Sequence, residues 1–203
     1  MKVNYHRLME ETIKSLKGRK ASLLIHSCCA PCSSYVLEYL KDYFDITVLF
    51  YNPNMIDKEE FEKRYDEQVK INTALDTDIK LIKIDYASNE FYDLIKGHEG
   101  DKEGGARCEI CFRLRLTEAA LYAKSHDYEY FTTTLSISPL KNAPLLNEIG
   151  LSLEEEHNVK YLQSDFKKKN GYKRSVELSK ENDLYRQEYC GCIYSKLERD
   201  NQT

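Results

Sequence analysis

The sequence predicts an α/β protein built on an open, mostly parallel sheet with helices on its faces. Three observations carry that expectation. Short apolar runs alternate with longer amphipathic ones along the chain, the pattern of repeated βα units. Several of the short runs are rich in β-branched and aromatic residues, which suit strands. The chemically unusual residues follow the short runs, where ligands bind in such sheets, beyond the carboxyl ends of the strands.

The elements follow in order. Ser22-Leu23-Leu24-Ile25-His26 reads as a buried strand, and Val36, Leu37, Leu40, Tyr43 and Phe44 then recur at helical spacing. Ile46 to Tyr51 (ITVLFY) is a second strand. A charged helix is expected from Lys58 to Leu75, with Phe61, Tyr65 and Val69 on one face. Ile79 to Ile84 is a third strand, and a short helix spans Phe91 to Ile95. The glycines and charges of KGHEGDKEGGAR mark an exposed loop. Cys108 to Lys124 is helical and Tyr128 to Thr133 a fourth strand. Leu145, Leu146, Ile149 and Leu153 mark another helix, Val159 to Leu162 a short fifth strand, and a polar helical tail starts at Tyr172 and ends near CGC. With right-handed crossovers, the segments HSCCAPC, YNPNM, DYASNEF, TTLSISPLKN and QSDFKKKNGYKR share one edge of a Rossmann-like sheet. No repeat, low-complexity tract or linker divides the chain, so residues 1–203 are expected to form a single domain.

At 203 residues the chain can bury a sizeable core without cross-links. Its net charge of −4 excludes a molecule that is basic throughout. Charge is uneven, however. Lys167, Lys168, Lys169, Lys173 and Arg174 lie within eight residues with no acid among them, and Arg107, Arg113 and Arg115 flank Cys108 and Cys111; such charge makes a local anion site or else a solvated face. The amino-terminal run has no long apolar core behind a basic start, and no stretch approaches the roughly 18 apolar residues of a bilayer span. A cytoplasmic protein with reduced thiols and no membrane partner is expected.

Seven cysteines stand in three tight groups: Cys28, Cys29 and Cys32; Cys108 and Cys111; Cys190 and Cys192. Apolar filler would not cluster in this way. Grouped thiols close loops, hold a soft metal or carry electrons, and an odd number argues against a full disulfide scaffold. Cys108 and Cys111, three apart at a helix start, lie on one helix face, where the helix end favours thiolate. Together with Cys28 and Cys29 they make four thiolates, which satisfy a [4Fe–4S] cluster or zinc equally. Cys29-Ala30-Pro31-Cys32 between strand and helix also suits a thiol–disulfide oxidoreductase. His26 reads as a structural histidine. Thr132, Thr133, Thr134, Ser136 and Ser138 read as loop caps or contacts to phosphate or ribose. Tyr51, Tyr86, Tyr185 and Tyr189 are the tyrosines placed to stack on a base.

HSCCAPC, RCEICFRLRL, FTTTLSISPLKN, DFKKKNGYKRS and LYRQEYCGCIYS, in that order from about Leu23 to Ser195, resemble the QueH-type epoxyqueuosine reductases. The resemblance implies a cobalamin-independent oxidoreductase of queuosine biosynthesis. Such an enzyme removes the epoxide oxygen of epoxyqueuosine at the wobble position of tRNA, giving queuosine. It implies an iron–sulfur cofactor, with Cys28, Cys29, Cys108 and Cys111 as ligands, and Cys190 and Cys192 as a redox-active pair that cycles through a disulfide bond. It leaves Cys32 without a role. It leaves room for an additional iron, with Asp165 as its candidate ligand. The partners it implies are tRNA carrying epoxyqueuosine, with the lysine-rich run on its phosphates, and an electron donor of unidentified kind. A cytosolic thiol–disulfide oxidoreductase and a zinc-stabilised RNA-binding module are the alternatives. Iron and sulfide content separates them.

Overall fold

The computed structural model describes residues 3–75 and 78–201. The apolar runs form β1 (Ala21–His26), β2 (Phe44–Phe50), β3 (Lys80–Lys83), β4 (Tyr130–Thr133) and β5 (Lys160–Tyr161). They pair in the order β3-β2-β1-β4-β5, every pair parallel. The helices are α1 (Tyr5–Ser15), α2 (Ala30–Leu40), α3 (Lys58–Ala74), α4 (Asn89–Leu94), α5 (Ala106–Ser125), α6 (Ala143–His157), α7 (Gly171–Glu181) and α8 (Ile193–Asp200).

Strand alternation sorts side chains between two cores. Leu24, Leu49 and Phe131 pack with Leu116, Ala119 and Ala120 of α5 and Leu146 and Ile149 of α6. Leu23, Ile25, Ile46 and Val48 point the other way, onto Met9 of α1 and Val36, Leu37 and Leu40 of α2. Each of these side chains larger than alanine contributes roughly 1.5–3 kcal/mol of burial. Burial on both faces explains why the strands read as continuous apolar runs.

The chain leaves β1 toward β2 on one side, and β4 joins β1 on the other. The loops after β1 and β4 therefore part at the carboxyl edge and open a crevice there. Cys28 and Cys29 end the first loop, and Thr134 begins the second.

Boundaries differ from the expectation where polar helices or short strands are involved. Tyr43 and Phe44 do not extend α2, since Phe44 opens β2. The sequence reading found no helix before β1, but α1 forms. The Asn4 side chain caps it, accepting from the Arg7 N–H at 3.1 Å, and His6 and Met9 are its buried residues. The polar tail does not end near CGC. It breaks after Glu181, and Asp183 takes a left-handed backbone (φ 47°). A second helix, α8, starts after Cys192, whose sulfur caps it by accepting from the Ser195 N–H at 3.4 Å. Gly171 lets α7 sit close. A Cβ there would lie 2.0 Å from the Phe166 carbonyl oxygen and 2.4 Å from the Tyr35 ring.

Candidate active site

The site begins where β1 ends. Cys29 is the N-cap of α2 in extended backbone, and Pro31 occupies the first turn, where a missing N–H costs nothing. This geometry turns Cys28, Cys29 and Cys32 toward one another, with their sulfurs all within 4.8 Å. Cys32, which the sequence reading left without a role, is thus part of the cluster of thiols. Cys28 Sγ lies 3.8 Å from Cys29 Sγ. Hydrogen bonding with Cys28 and Cys32, and then the Arg64 charge, holds Cys29 well below the usual thiol range, while Cys28 and Cys32 are raised.

Cys108 and Cys111 lie on the first turns of α5, both buried. The Gly104 N–H donates to the Cys108 sulfur at 3.2 Å. Cys108 packs in the same apolar cluster as Cys28 and Cys29, whereas Cys111 packs with Cys192, Phe91 and Ile95. Burial pushes the Cys111 thiol up to about 12, with Arg115 opposing.

The loop carrying Cys190 and Cys192 is pinned from several sides. The Ile56 N–H donates to the Gly191 carbonyl at 2.9 Å and Arg64 Nη1 to the Cys190 carbonyl at 3.0 Å. The Cys190 N–H donates to Ser195 Oγ, and Ser195 Oγ–H to Glu103 Oε2, each at 2.9 Å. Gly191 has φ 137°, and a Cβ there would sit 3.2 Å from Arg64 Nη1. Only glycine holds that turn without strain. All seven cysteines are free thiols.

Two cavities meet at Cys190 and Glu103. The larger, of about 310 Å³, is lined by Cys28, Cys29, Cys32, Lys141, Arg186 and Tyr189, among others. The smaller, of about 10 Å³, is lined by Cys108, Cys111, Cys190, Cys192, Arg107 and Arg115, among others. A more open hollow of about 700 Å³ lies at the opposite edge of the sheet. It has no thiol in its lining and mixed charges, among them Lys20, Lys41, Asp42 and Asp127.

Positive charge surrounds the thiols. Arg64, Arg107 and Arg115 are each at most 2% exposed. Arg64 Nη2, Arg107 Nε and Arg115 Nη2 have no hydrogen-bond partner among the described residues. Lys141 Nζ is 2.7 Å from Glu103 Oε1. Burial disfavours its ammonium form, but the Cys190 sulfur and the Glu103 carboxylate outweigh that and raise its pKa. Arg64 lies on a charged helix and Lys141 in a loop, and in both settings a charged side chain reads from sequence as solvent-facing.

Other predicted residues fall as follows. His26 is fully buried. Its Nδ1 is 2.9 Å from Thr133 Oγ1 and its Nε2 3.0 Å from the Tyr51 carbonyl. Burial lowers its pKa to about 3, so it is a neutral structural group with Nε2–H donating to the carbonyl. Thr132 donates to the Leu162 carbonyl and Ser136 pairs with Ser164, while Ser138 lines the larger cavity. Of the four tyrosines, Tyr189 lines that cavity. The hydroxyls of Tyr51 and Tyr86 are engaged by Glu90 and by the Met55 carbonyl, and the Tyr185 ring lies under Lys63. Tyr172 and the 72% exposed Leu140 line the cavity mouth and were not singled out from sequence. Asp165 is paired with Lys167 at 2.8 Å and lines neither thiol cavity. Lys169 pairs with Glu10, Lys173 with Glu177 at 3.9 Å, and Arg174 with Glu38 at 2.8 Å and Glu181 at 2.7 Å. Lys168 alone of the five has no ion pair among the described residues.

Residues 23–198 match the family model described as epoxyqueuosine reductase QueH. Three curated relatives carry the same description. That of Streptococcus pyogenes serotype M1 is 42% identical over 96% of this chain and 78% of its own length. That of Staphylococcus epidermidis is 39% identical over 98% and 87%, and that of Thermotoga maritima 36% over 88% and 92%. Among solved structures, the U34-tRNA thiolase NcsA of Methanococcus maripaludis, determined with its [4Fe-4S] cluster, aligns with a TM-score of 0.54. It is 12% identical, over 94% of this chain and 67% of its own, a likeness of fold. Among the described residues no helix is long and apolar enough to cross a membrane.

Proposed function

We propose how this chain, which belongs to the epoxyqueuosine reductase QueH family and is an oxidoreductase of that class, carries out its reaction: Cys190 and Cys192 deliver two electrons to the epoxide of epoxyqueuosine in tRNA, beside an iron–sulfur centre held by other cysteines. The observation that carries this is convergence: thiols from three separate segments line two cavities that meet at Cys190.

The donor set fits an iron–sulfur centre. The thiols are buried or half-buried, and guanidinium N–H groups without partners stand ready for negative charge. We assign Cys28, Cys29, Cys108 and Cys111 as ligands, the four thiolates a [4Fe–4S] cluster uses. The fold neighbour determined with such a cluster supports that type. When bound, a cluster held by four thiolates would supply electrons singly.

The chain's own residues complete the chemistry. Removing an epoxide oxygen to leave an alkene takes two electrons and two protons and releases water. A dithiol closing to a disulfide supplies both electrons and both protons. The S–S bond forms between Cys190 and Cys192, and the two C–O bonds break. Lys141 Nζ, held by Glu103 at 2.7 Å, places a positive charge in the cavity that Cys190 lines. An external two-electron reductant then reopens the disulfide, whose small ring eases reduction. A cavity of about 310 Å³ admits one modified base, not a helix, so the base enters splayed out of the anticodon loop. Leu140, Tyr172 and Tyr189 offer apolar and aromatic contacts at the mouth.

The test is anaerobic incubation of iron- and sulfide-loaded protein and a chemical reductant with tRNA bearing epoxyqueuosine, followed by nucleoside mass analysis. Queuosine is the expected product, and unchanged tRNA contradicts the assignment. Phosphate contacts are proposed for Lys167, Lys168, Lys169, Lys173 and Arg174, beside Tyr172 at the cavity mouth. Replacing the three lysines with alanine is expected to weaken tRNA binding and flatten its salt dependence, with metal content unchanged. Wild-type binding by that variant across salt concentrations identifies the run as a solvated face.

A further inference from the structure

We infer that Arg115 is the internal counter-cation of the iron–sulfur centre and sets how readily that centre takes an electron; this rests on the reading above that the cysteines hold such a centre. Arg115 lies on α5, one turn beyond Cys111, and is 1% exposed. Its Nε donates to the Cys111 carbonyl at 3.2 Å, and its Nη2 has no partner among the described residues. The other two buried arginines each hold a carboxylate, Arg64 with Glu60 at 2.6 Å and Arg107 with Glu198 at 2.9 Å. Arg115 has no ion pair among the described residues.

A guanidinium does not escape burial by losing its proton, and a buried charge needs an opposite charge nearby. Solvent anions do not supply one. The cavity beside Arg115 measures about 10 Å³, room for about one water and no polyatomic anion. Four cysteines, Cys108, Cys111, Cys190 and Cys192, line that cavity with it. Metal-bound thiolates are anionic outright, so a centre that Cys108 and Cys111 help to hold supplies the missing partner. Each electron added to the centre adds one negative charge and deepens its attraction to Arg115. The fixed cation therefore favours the reduced form.

Arg115→Met and Arg115→Gln in the loaded enzyme test this, by anaerobic potentiometric titration followed by absorbance and electron paramagnetic resonance. The expected result is a midpoint more negative by at least about 59 mV, a tenfold fall in the one-electron equilibrium constant. Thermal unfolding of the iron-depleted protein gives a second readout. Removing an uncompensated buried charge is expected to leave the apoprotein melting point unchanged or higher, where a merely structural arginine would lower it. Loss of the centre from a variant whose apoprotein melts at or above wild type also supports the role. A variant that keeps iron and sulfide at the wild-type midpoint overturns it, as does an apoprotein melting well below wild type with no shift in midpoint. If wild-type protein takes up no iron and sulfide, the cluster reading fails first and this inference with it.

Discussion

Cys108→Ala and Cys111→Ala are each expected to purify anaerobically with iron and sulfide at background and without iron–sulfur absorption. Both thiols lie on the first turns of α5, directed into the shared site by helical spacing. Cys108 packs in the same cluster as Cys28 and Cys29, so one missing sulfur leaves an iron without its protein ligand. Cys32→Ala is expected to retain the centre, because the assigned set already supplies four thiolates. Full iron and sulfide in Cys108→Ala or Cys111→Ala contradicts the ligand set. If Cys32→Ala loses the centre while those two keep it, the metal belongs to the triad of Cys28, Cys29 and Cys32.

Cys190→Ala and Cys192→Ala are expected to keep most of the iron and sulfide and lose turnover by at least about a thousandfold, the scale of removing a covalent catalytic group. Cys190 lines both cavities, and Gly191 holds the turn between the two thiols at φ 137°. The loop backbone is pinned through Ile56, Arg64 and Ser195, none of which uses the Cys190 side chain, while Cys192→Ala also removes the sulfur cap of α8. Queuosine formation by either variant at near the wild-type rate contradicts the role of the pair.

The strands were legible because burial on both faces leaves unbroken apolar runs, Leu23-Leu24-Ile25 being one. Their placement fixed which loops share an edge, and so put HSCCAPC and TTLSISPLKN together. The thiol pairs were legible from spacing. The place of Cys32 beside Cys28 was not, because it depends on the extended backbone of the N-cap Cys29. The burial of Arg64, Arg115 and Lys141 was not legible for a different reason. A charged side chain reads as solvent-facing, and only tertiary packing shows that each is buried. The reverse holds for Arg174, which read as a free cation in a basic run. Glu38, from a helix far away in sequence, and Glu181 occupy its guanidinium. Helices α1 and α8 escaped notice because each buries only one or two residues, too few to stand out against polar flanks.

The pairing of electrons with product tests the central claim most directly. Fully reduced, iron-loaded enzyme is mixed with tRNA bearing epoxyqueuosine and no external donor, quenched after a single turnover, alkylated and mapped by mass spectrometry. The account predicts one queuosine for each pair of alkylatable thiols lost, with the loss confined to Cys190 and Cys192. If queuosine forms while both thiols remain open to alkylation, the electrons came from elsewhere and the pair is not the reductant.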